Sequence, residues 1–251
     1  MTPEHSVVIA GGGPTGLMLA GELAVAGVDV VIVEPRTSQH VDGSRAGGLH
    51  SRTIEVLDQR GIAQRFLSAG QTMQVQGFAM IPLDISDFPT RHNYGLALWQ
   101  SQFEPILADW VAELGVPILR GCRVVGFAQD ETGVHVELSG DTSLRAEYLV
   151  GCDGGRSLVR KTAGIDFAGS DPSTSWMIAQ VEMGEEPELG MRPDGGGIGP
   201  VNREEAGGPF RIVLRERHAE HTSEPTLQDL SEALIVAYGT DFGVHSPSWI
   251  S

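Results

Sequence analysis

The hydrophobic pattern at the start of the chain predicts a β-α-β unit. The β-branched run Ser6–Ala10 is typical of a short strand buried on both faces. Apolar residues then recur at helical spacing between Leu17 and Ala24, and a second apolar run, Val28–Val33, begins directly after Gly27. Two buried strands joined by a helix predict parallel pairing with a right-handed crossover.

The rest of the chain alternates between helical and strand-like patterns, which predicts an α/β fold. The predicted helices are Ser51–Arg60 with Ser51 as its N-cap, Gln102–Leu114, Ser157–Ala163 and Thr226–Tyr238. The predicted strands are Gln74–Ile81, Tyr94–Leu98, Val116–Leu119, Arg123–Asp130, Val134–Leu138, Leu144–Val150, Trp176–Met183 and Phe210–Arg215. The segment Glu185–Gly208 is rich in Gly, Pro and Glu, and this composition predicts a long loop.

The charge of the chain narrows the classes of partner. The 251 residues carry a formal net charge of -16 at pH 7. Binding to nucleic acid or to an anionic membrane surface requires clustered Lys and Arg, so we expect neither partner. We also expect no signal peptide and no membrane-spanning segment. Cys122 and Cys152 make neither a disulfide framework nor a metal site, so two reduced thiols in the cytoplasm and no bound metal are expected.

The glycines after the first predicted strand form a dinucleotide-binding pattern, G-x-G-x-x-G. Gly11 would permit the tight turn, Gly13 would let the backbone approach a pyrophosphate, and Gly16 would let the helix pack closely on the sheet. The helix N-terminus supplies free N–H groups and the positive end of the helix dipole. The predicted phosphate-binding residues are Gly11, Gly13, Pro14, Thr15 and Gly16.

Glu34 ends the second predicted strand, where a carboxylate can accept hydrogen bonds from ribose hydroxyls. The alternative is a glycine-rich turn beside a surface glutamate. The segment Arg36–Gly48 that follows is polar and glycine-rich, without a helical period. A long loop at this point suits a cofactor held in extended form, which favours FAD over a nicotinamide dinucleotide.

A resemblance to a known family begins in this loop. The motif is Gly43-Ser44-Arg45-Ala46-Gly47-Gly48-Leu49, followed by Arg52-Thr53 and by Glu55–Gly61. It is similar to the para-hydroxybenzoate hydroxylase family of group A flavoprotein monooxygenases, most of all to the branch of aromatic-polyketide and rifampicin monooxygenases. The resemblance implies that Arg45 contacts the cofactor and that the backbone of Ala46, Gly47 and Gly48 lies against the flavin. The alternative for Arg45 is a surface salt bridge; Arg36 is also among the predicted cofactor-binding residues.

Two further stretches carry the resemblance. Gln100 stands where the family places a polar contact to the flavin side of FAD, and Gly151–Arg160 matches the family's Asp-Gly motif. The alternatives are a helix-capping amide for Gln100 and a simple N-cap for Asp153. The cofactor-binding residues that the resemblance adds are Gln100, Val124, Asp153 and Gly154. The resemblance further implies that Arg156 and Arg160 help to dock the nicotinamide cofactor.

The resemblance implies an FAD-dependent monooxygenase that takes electrons from NADPH or NADH. In such enzymes reduced flavin reacts with O₂, and a C4a-hydroperoxide passes one oxygen atom to a small aromatic substrate, phenolic or of polyketide type. No catalytic residue is assigned. The alternative is a non-catalytic protein or a different FAD-binding oxidoreductase, such as a reductase or a halogenase. A halogenase would be expected to carry a Trp-x-Trp-x-Ile-Pro segment, and the sequence contains none.

The expected organisation is an FAD-binding domain, residues 1–171, from which 72–97 crosses to a sheet-and-helix substrate domain that begins in 172–251. The family's third motif, a downstream Gly-Asp pair, has no counterpart, because Gly239–Asp241 follows a predicted helix rather than a strand. We therefore expect a fragment, or a partner chain that supplies the rest, and little activity from these residues alone. An open sheet edge also makes a homo-oligomer possible.

Overall fold

The computed structural model describes residues 4–41, 43, 46–78, 81–170, 172–191, 196–199, 208–216 and 224–251. The chain separates into two compact units. The first comprises Met1–His40 and Ser101–Ala168, and the second comprises Val41–Gln100 and Gly169–Ser251. None of the helices in the described residues is both long enough and apolar enough to cross a membrane.

The first unit is built on a six-stranded sheet. Its strands are β1 (Glu4–Ala10), β2 (Val30–Glu34), β8 (Ile118–Arg120), β9 (Val124–Asp130), β10 (Gly133–Leu138) and β11 (Thr142–Gly151). Its helices are α1 (Pro14–Val25), α4 (Gln100–Glu113, of which all but Gln100 belong to this unit) and α5 (Leu158–Thr162). The strand order is β8-β2-β1-β11-β10-β9.

Parallel strands bring the predicted chemistry to one edge of this sheet. β1 pairs in parallel with β2, Val7 opposite Val30, and with β11 on its other side. The predicted β-α-β unit is therefore confirmed, and all five residues of β2 are buried, as expected for a central strand. The carboxyl ends of β1, β2 and β11 lead into Gly11, Glu34 and Asp153, respectively.

An apolar core packs on the first sheet. One face carries a core cluster made of Val8, Val31, Val33, Val136, Leu138, Leu144 and Ala146. In the helical layer, Gly21 of α1 meets Trp110 of α4, and a Cβ at Gly21 would lie 2.1 Å from the Trp110 ring. The close approach of these two helices therefore depends on a glycine at position 21.

The described residues of the second unit form three smaller sheets and three helices. Its strands in the first half are β3 (Gly48–Leu49), β4 (Gln71–Met73), β5 (Val75–Phe78), β6 (Ile81–Asp84) and β7 (Gly95–Ala97), with helices α2 (Ser51–Gln59) and α3 (Ala63–Leu67). Its later elements are β12 (Trp176–Met183), β13 (Gly190–Met191), β14 (Gly197–Gly199), β15 (Phe210–Arg215), α6 (Leu227–Tyr238) and β16 (Val244–Ile250). Strands β3, β7 and β4 form one sheet, and β5 pairs with β6.

The largest sheet of the second unit has the order β13-β14-β15-β12-β16. Alternate residues of β12 and β15 pack against α6, so that Leu230 and Leu234 of the helix are fully buried in the core. Thr226 caps α6 in a reciprocal capping box with Asp229. Parallel and antiparallel strands together with helices confirm the predicted α/β class.

Three details differ from the sequence-based expectations. Ser51 is the first residue of α2 rather than its N-cap, since its hydroxyl donates to the carbonyl of His92. The segment 185–208 is not only loop, because it contains β13 and β14 in its described part. Residues 41–71, which we expected in the first domain, cluster with the second unit, because β3 and β4 both pair with β7.

Candidate functional site

The turn between β1 and α1 requires two of its glycines for steric reasons. Gly11 has a φ of +105°, and a Cβ there would lie 2.4 Å from the carbonyl oxygen of Cys152. A Cβ at Gly16 would lie 1.9 Å from the carbonyl oxygen of Gly11. Both distances are far inside van der Waals contact, so a side chain at either position would push the turn away from the sheet.

Gly13 differs from its neighbours because the space beside it is open. Among the described residues, no heavy atom lies within 4 Å of a Cβ built at Gly13. Gly13 is the N-cap of α1, and it has no side chain to satisfy the first turn, which begins at Pro14. The N–H groups of Thr15 and Gly16 belong to that uncapped turn, where the helix dipole is positive. An open cradle of N–H donors fits a pyrophosphate.

Glu34 is held by hydrogen bonds from the turn itself. Its Oε2 accepts from the backbone N–H of Gly12 at 2.6 Å, and its Oε1 accepts from the backbone N–H and from Nε of Arg36 at 2.9 and 2.8 Å. Burial alone would raise the pKa of Glu34, but these hydrogen bonds outweigh it and hold the pKa below its usual range. A carboxylate offers about four acceptor positions. Hydrogen bonds from the described residues use three of them, which leaves one acceptor position.

Arg36 joins two buried carboxylates. Its guanidinium contacts Glu34 through Nε and Glu104 through Nη2 at 2.7 Å, and Nη2 also donates to the carbonyl of Gly12 at 3.2 Å. Glu34 is 4% exposed and Glu104 is 0% exposed. A buried carboxylate without a cation would be strongly destabilising. Arg36, whose side chain is 32% exposed, therefore supports the phosphate loop by contacting both carboxylates and the Gly12 carbonyl.

Glu104 and Gln39 are two members of this network that the sequence did not reveal. The side-chain amide of Gln39 donates to Glu104 and to the carbonyl of Gly12, and its oxygen accepts from Arg120 at 2.7 Å. One signal was present in the sequence. Glu104 lies three, four and seven residues before three buried apolar residues of α4, Leu107, Ala108 and Val111, so a charged residue occupies the apolar stripe of the helix.

Asp153 lies two residues after β11 and caps the first turn of α5 together with Ser157, the N-cap residue of that helix. Its Oδ2 accepts from the backbone N–H groups of Leu158 and Val159 at 2.7 and 3.1 Å, in the first turn of α5. Burial opposes ionisation of Asp153, but hydrogen bonds from Ser157 and from these N–H groups lower its pKa. Gly154 follows with a φ of +81°, and a Cβ there would meet nothing within 4 Å in the described structure.

The residues expected beside the flavin fall in the second unit. The backbone N–H of Gln100, at the start of α4, donates to the carbonyl of Ala46 at 3.0 Å. Gly48 lies in β3 opposite Ala97. Gly47 packs against Trp99, since a Cβ at Gly47 would lie 2.2 Å from the indole ring. Arg45 lies outside the described residues, so its predicted role stays a prediction.

The remaining predicted residues lie in the first unit. Val124 begins β9 at a bulge, where the pairing with β10 shifts register between Glu137 and Leu138. Arg156 is exposed in the turn before α5. Arg160 is occupied within the protein, because its Nη1 donates to the carbonyl of Ile165 and its guanidinium lies over the ring of Phe167, 4.9 Å from the centroid. Arg156 is therefore better placed than Arg160 to contact a phosphate group.

Comparisons with known proteins agree with this geometry. A family model described as "FAD binding domain" matches residues 4–251. A rifampicin monooxygenase of Streptomyces venezuelae is 42% identical over 98% of this chain and 53% of its own length. The solved structure of the anhydrotetracycline hydroxylase OxyS of Streptomyces rimosus is 38% identical, with a TM-score of 0.88 over 99% of this chain and 52% of that one.

A third similar protein is named a Diels-Alderase rather than a monooxygenase or hydroxylase. The solved structure of PyrE3, a Diels-Alderase of pyrroindomycin biosynthesis, is 30% identical, with a TM-score of 0.87 over 98% of this chain and 54% of that one. The present chain thus spans about half the length of the relatives that it matches. The family match over residues 4–251 and the two monooxygenase relatives together establish that the chain belongs to the family of FAD-dependent aromatic monooxygenases and forms its FAD-binding domain.

Proposed function

We propose that the protein is a monooxygenase that uses FAD and NADPH or NADH to hydroxylate a small aromatic substrate of the polyketide type. It acts in the cytoplasm, where the free thiols Cys122 and Cys152 stay reduced. When bound, FAD would accept electrons from the nicotinamide cofactor and transfer one oxygen atom of O₂ to the substrate. The chain supplies binding, orientation and electrostatic support.

The open phosphate loop is the observation that carries this proposal. Gly11 and Gly16 are glycines because the protein's own atoms fill the space beside them, whereas no atom of the described residues fills the space beside Gly13. A protein that used this turn only for packing would gain nothing from an uncapped helix start beside empty space. A pyrophosphate would occupy that space and accept from the N–H groups of Thr15 and Gly16.

The other residues of the first unit support the adenosine and phosphate part of FAD. Glu34 would accept one ribose hydroxyl with its remaining acceptor position. Arg36 would act mainly by keeping Glu34 ionised and the Gly12 carbonyl in place, since it already contacts both. Val124 would offer backbone groups at the β9 bulge, and Gly154 would offer an open turn.

The second unit contains the backbone of Ala46, Gly47 and Gly48, which is proposed to lie against the flavin. It also contains Arg45, proposed to contact the cofactor, and Gln100, proposed to contact the ribityl–phosphate region of FAD. We propose that this unit carries the start of the substrate domain, and that the first unit is the dinucleotide-binding part. Asp153 would help to hold FAD by fixing the start of α5. Arg156 would attract the phosphate groups of NADPH or NADH. The substrate class follows from the names of the two monooxygenase relatives, which refer to rifampicin and anhydrotetracycline.

Cofactor content and oxygen incorporation test the proposal. The purified protein should absorb at roughly 370 and 450 nm and should release FAD on denaturation. With anhydrotetracycline or rifampicin as the probe, and with the half of the relatives' length that this chain does not span supplied on the same or a partner chain, NADPH oxidation should accelerate, and the product should gain one oxygen atom from isotopically heavy O₂. A protein that releases no flavin, or a product whose added oxygen comes from water, would contradict the proposal.

A second candidate is a cyclisation without net oxidation, on the same fold. The observation that favours it is the similarity to a Diels-Alderase over 98% of this chain. Such a reaction consumes neither O₂ nor NADPH, and its product has the same mass as its substrate. Anaerobic incubation without a nicotinamide cofactor separates the two candidates, because only the cyclase would still form product.

A further inference from the structure

The segment Ala46–Gly48 runs beside the segment Ala97–Gln100, and each of its three residues contacts one residue of the second segment. Gly48 is opposite Ala97 in the β3–β7 pair, and the carbonyl of Ala46 accepts from the N–H of Gln100. Between these two backbone ties, Gly47 meets the side chain of Trp99. A Cβ at Gly47 would lie 2.2, 2.5 and 2.9 Å from Cζ3, Cη2 and Cε3 of the indole.

These distances explain why position 47 is a glycine. Real Cβ atoms do not approach ring carbons within 3 Å, and the indole of Trp99 cannot withdraw easily, since the residue is only 9% exposed. The resemblance to flavoprotein monooxygenases suggests a different reason, namely that small residues let the backbone approach the flavin. In the structure, the ring that Gly47 approaches belongs to the protein itself.

Arg211 supports the same indole. Its guanidinium carbon lies 4.4 Å from the centroid of the Trp99 ring, within the range of a cation–π contact. Arg211 lies on β15 opposite Gln180 of β12, in the interior of the five-stranded sheet. The guanidinium of Arg211 is partly buried, and this burial lowers its pKa. Desolvation strengthens a cation–π contact.

We propose that Trp99 is a positioning residue for the segment Ala46–Gly48, that Gly47 is a glycine because of Trp99, and that Arg211 fixes the indole. This inference rests on the proposed function only where it concerns FAD, because the packing of Gly47 on Trp99 does not depend on a cofactor. The consequence for FAD is that the path of the segment, and not the size of residue 47 alone, determines how well the flavin is held.

A double-mutant cycle at positions 47 and 99 tests the proposal. The variants are Gly47→Ala, Trp99→Leu and the double variant, each measured by the thermal unfolding midpoint and by FAD titration of the purified protein. In the wild-type background, Gly47→Ala should lower the midpoint by roughly 5 °C and raise the Kd for FAD about tenfold. In the Trp99→Leu background, Gly47→Ala should change the unfolding midpoint and the Kd for FAD by less than about a third of these amounts.

The competing explanation predicts the opposite result for FAD. If Gly47 is small because the flavin approaches it, alanine should weaken FAD binding equally in both backgrounds, and that outcome would overturn the proposal. Gly77→Ala is the matched control, since a Cβ there meets nothing within 4 Å among the described atoms and the residue lies in the same unit. It should leave both measurements unchanged.

The double-mutant cycle still tests the proposal if one variant does not fold. Should Gly47→Ala not fold, a folded double variant supports the proposal, and an unfolded one contradicts it while Trp99→Leu is folded. Should Trp99→Leu not fold, Trp99→Phe replaces it, because phenylalanine lacks the outer indole edge that Gly47 meets. If the wild-type protein binds no FAD, the proposed function fails, but the midpoints still decide whether Trp99 and Gly47 are coupled.

Arg211 provides a separate readout of the positioning role. Arg211→Gln should raise the Kd for FAD by about threefold to tenfold and shift the visible bands of the bound flavin, whereas Arg211→Lys should restore part of the affinity. In the Trp99→Leu background, Arg211→Gln should have little further effect on the Kd, because its aromatic partner is absent. An undiminished effect of Arg211→Gln in that background would show that Arg211 does not act through Trp99.

Discussion

Replacing Arg36 by alanine is expected to destabilise the first unit in a pH-dependent way. The guanidinium is the cation that contacts both buried carboxylates of this unit, Glu34 at 2.8 Å and Glu104 at 2.7 Å. Removing one partner of a buried ion pair typically costs about 3–5 kcal/mol, because the remaining charge stays buried. Glu34 keeps its two backbone N–H donors, and Glu104 keeps the amide of Gln39, so we expect about 3 kcal/mol at pH 7.

The sign of the pH dependence follows from Glu34. In the wild-type protein its pKa is lowered, so its contribution to stability is present above the ordinary carboxyl pKa, roughly 4.3, and is lost as the pH falls through the folded-state pKa. Without Arg36, burial is opposed by fewer hydrogen bonds, so the pKa of Glu34 rises and protonation stabilises the folded variant. The wild-type protein loses stability as the pH falls, and the variant regains it. The gap should therefore narrow from about 3 kcal/mol at pH 7 to about 1 kcal/mol near pH 4.

Urea unfolding at several pH values measures this gap. Arg120→Ala is the matched control, because Arg120 contacts the neutral amide oxygen of Gln39 rather than a carboxylate. It should cost about 1 kcal/mol, with little change between pH 7 and pH 4. A gap for Arg36→Ala that stays constant or widens as the pH falls would refute the buried-carboxylate explanation. A loss of unfolding free energy at pH 7 no larger than the loss for Arg120→Ala would also refute this explanation.

Three further predictions concern the same unit. Gly13→Ala should leave the thermal unfolding midpoint nearly unchanged but raise the Kd for FAD about tenfold or more. Gly16→Ala should lower the midpoint by about 10 °C or more, because its methyl group would overlap the carbonyl of Gly11. Scanning fluorimetry measures the midpoints and FAD titration measures the Kd values. Glu34→Gln should raise the Kd for FAD about tenfold and also cost about 2 kcal/mol of unfolding free energy at pH 7, and an unchanged Kd would remove Glu34 from the site. Asp153→Ala should cost about 1 kcal/mol at pH 7, and the cost should shrink as the pH falls below roughly 3.9 and through the lowered folded-state pKa of Asp153, because the carboxylate is then protonated; a cost that does not change with pH would argue against the capping role.

The β-α-β unit was predictable because local patterns encode it. An apolar strand such as Ser6–Ala10, a run of glycines and a helical period stand within about thirty residues, and no distant contact is needed to interpret them. The parallel pairing of β1 with β2 and the glycine turn at Gly11 follow the prediction closely. The predicted strands Arg123–Asp130 and Val134–Leu138 likewise correspond to β9 and β10, which pair with each other.

The support behind the phosphate loop could not be predicted in the same way. Gln39 and Glu104 are 65 residues apart, and only the fold brings their side chains together. Residues 41–71 cluster with the second unit for a similar reason, since β3 and β4 pair with β7, which follows later in the chain. Long-range pairing decides both features, and sequence periodicity carries no information about it.

Glycine illustrates how the same residue type can have different physical causes. Gly13 and Gly47 both fit the family pattern, and both suggest a backbone that approaches a ligand. A Cβ at Gly13 would enter open space, whereas a Cβ at Gly47 would enter the indole of Trp99. Only the first of these glycines is left unexplained by the protein's own packing. The structural case for a bound dinucleotide therefore depends on Gly13 and the uncapped start of α1, while Gly47 supports it only through the path that Trp99 imposes on the chain.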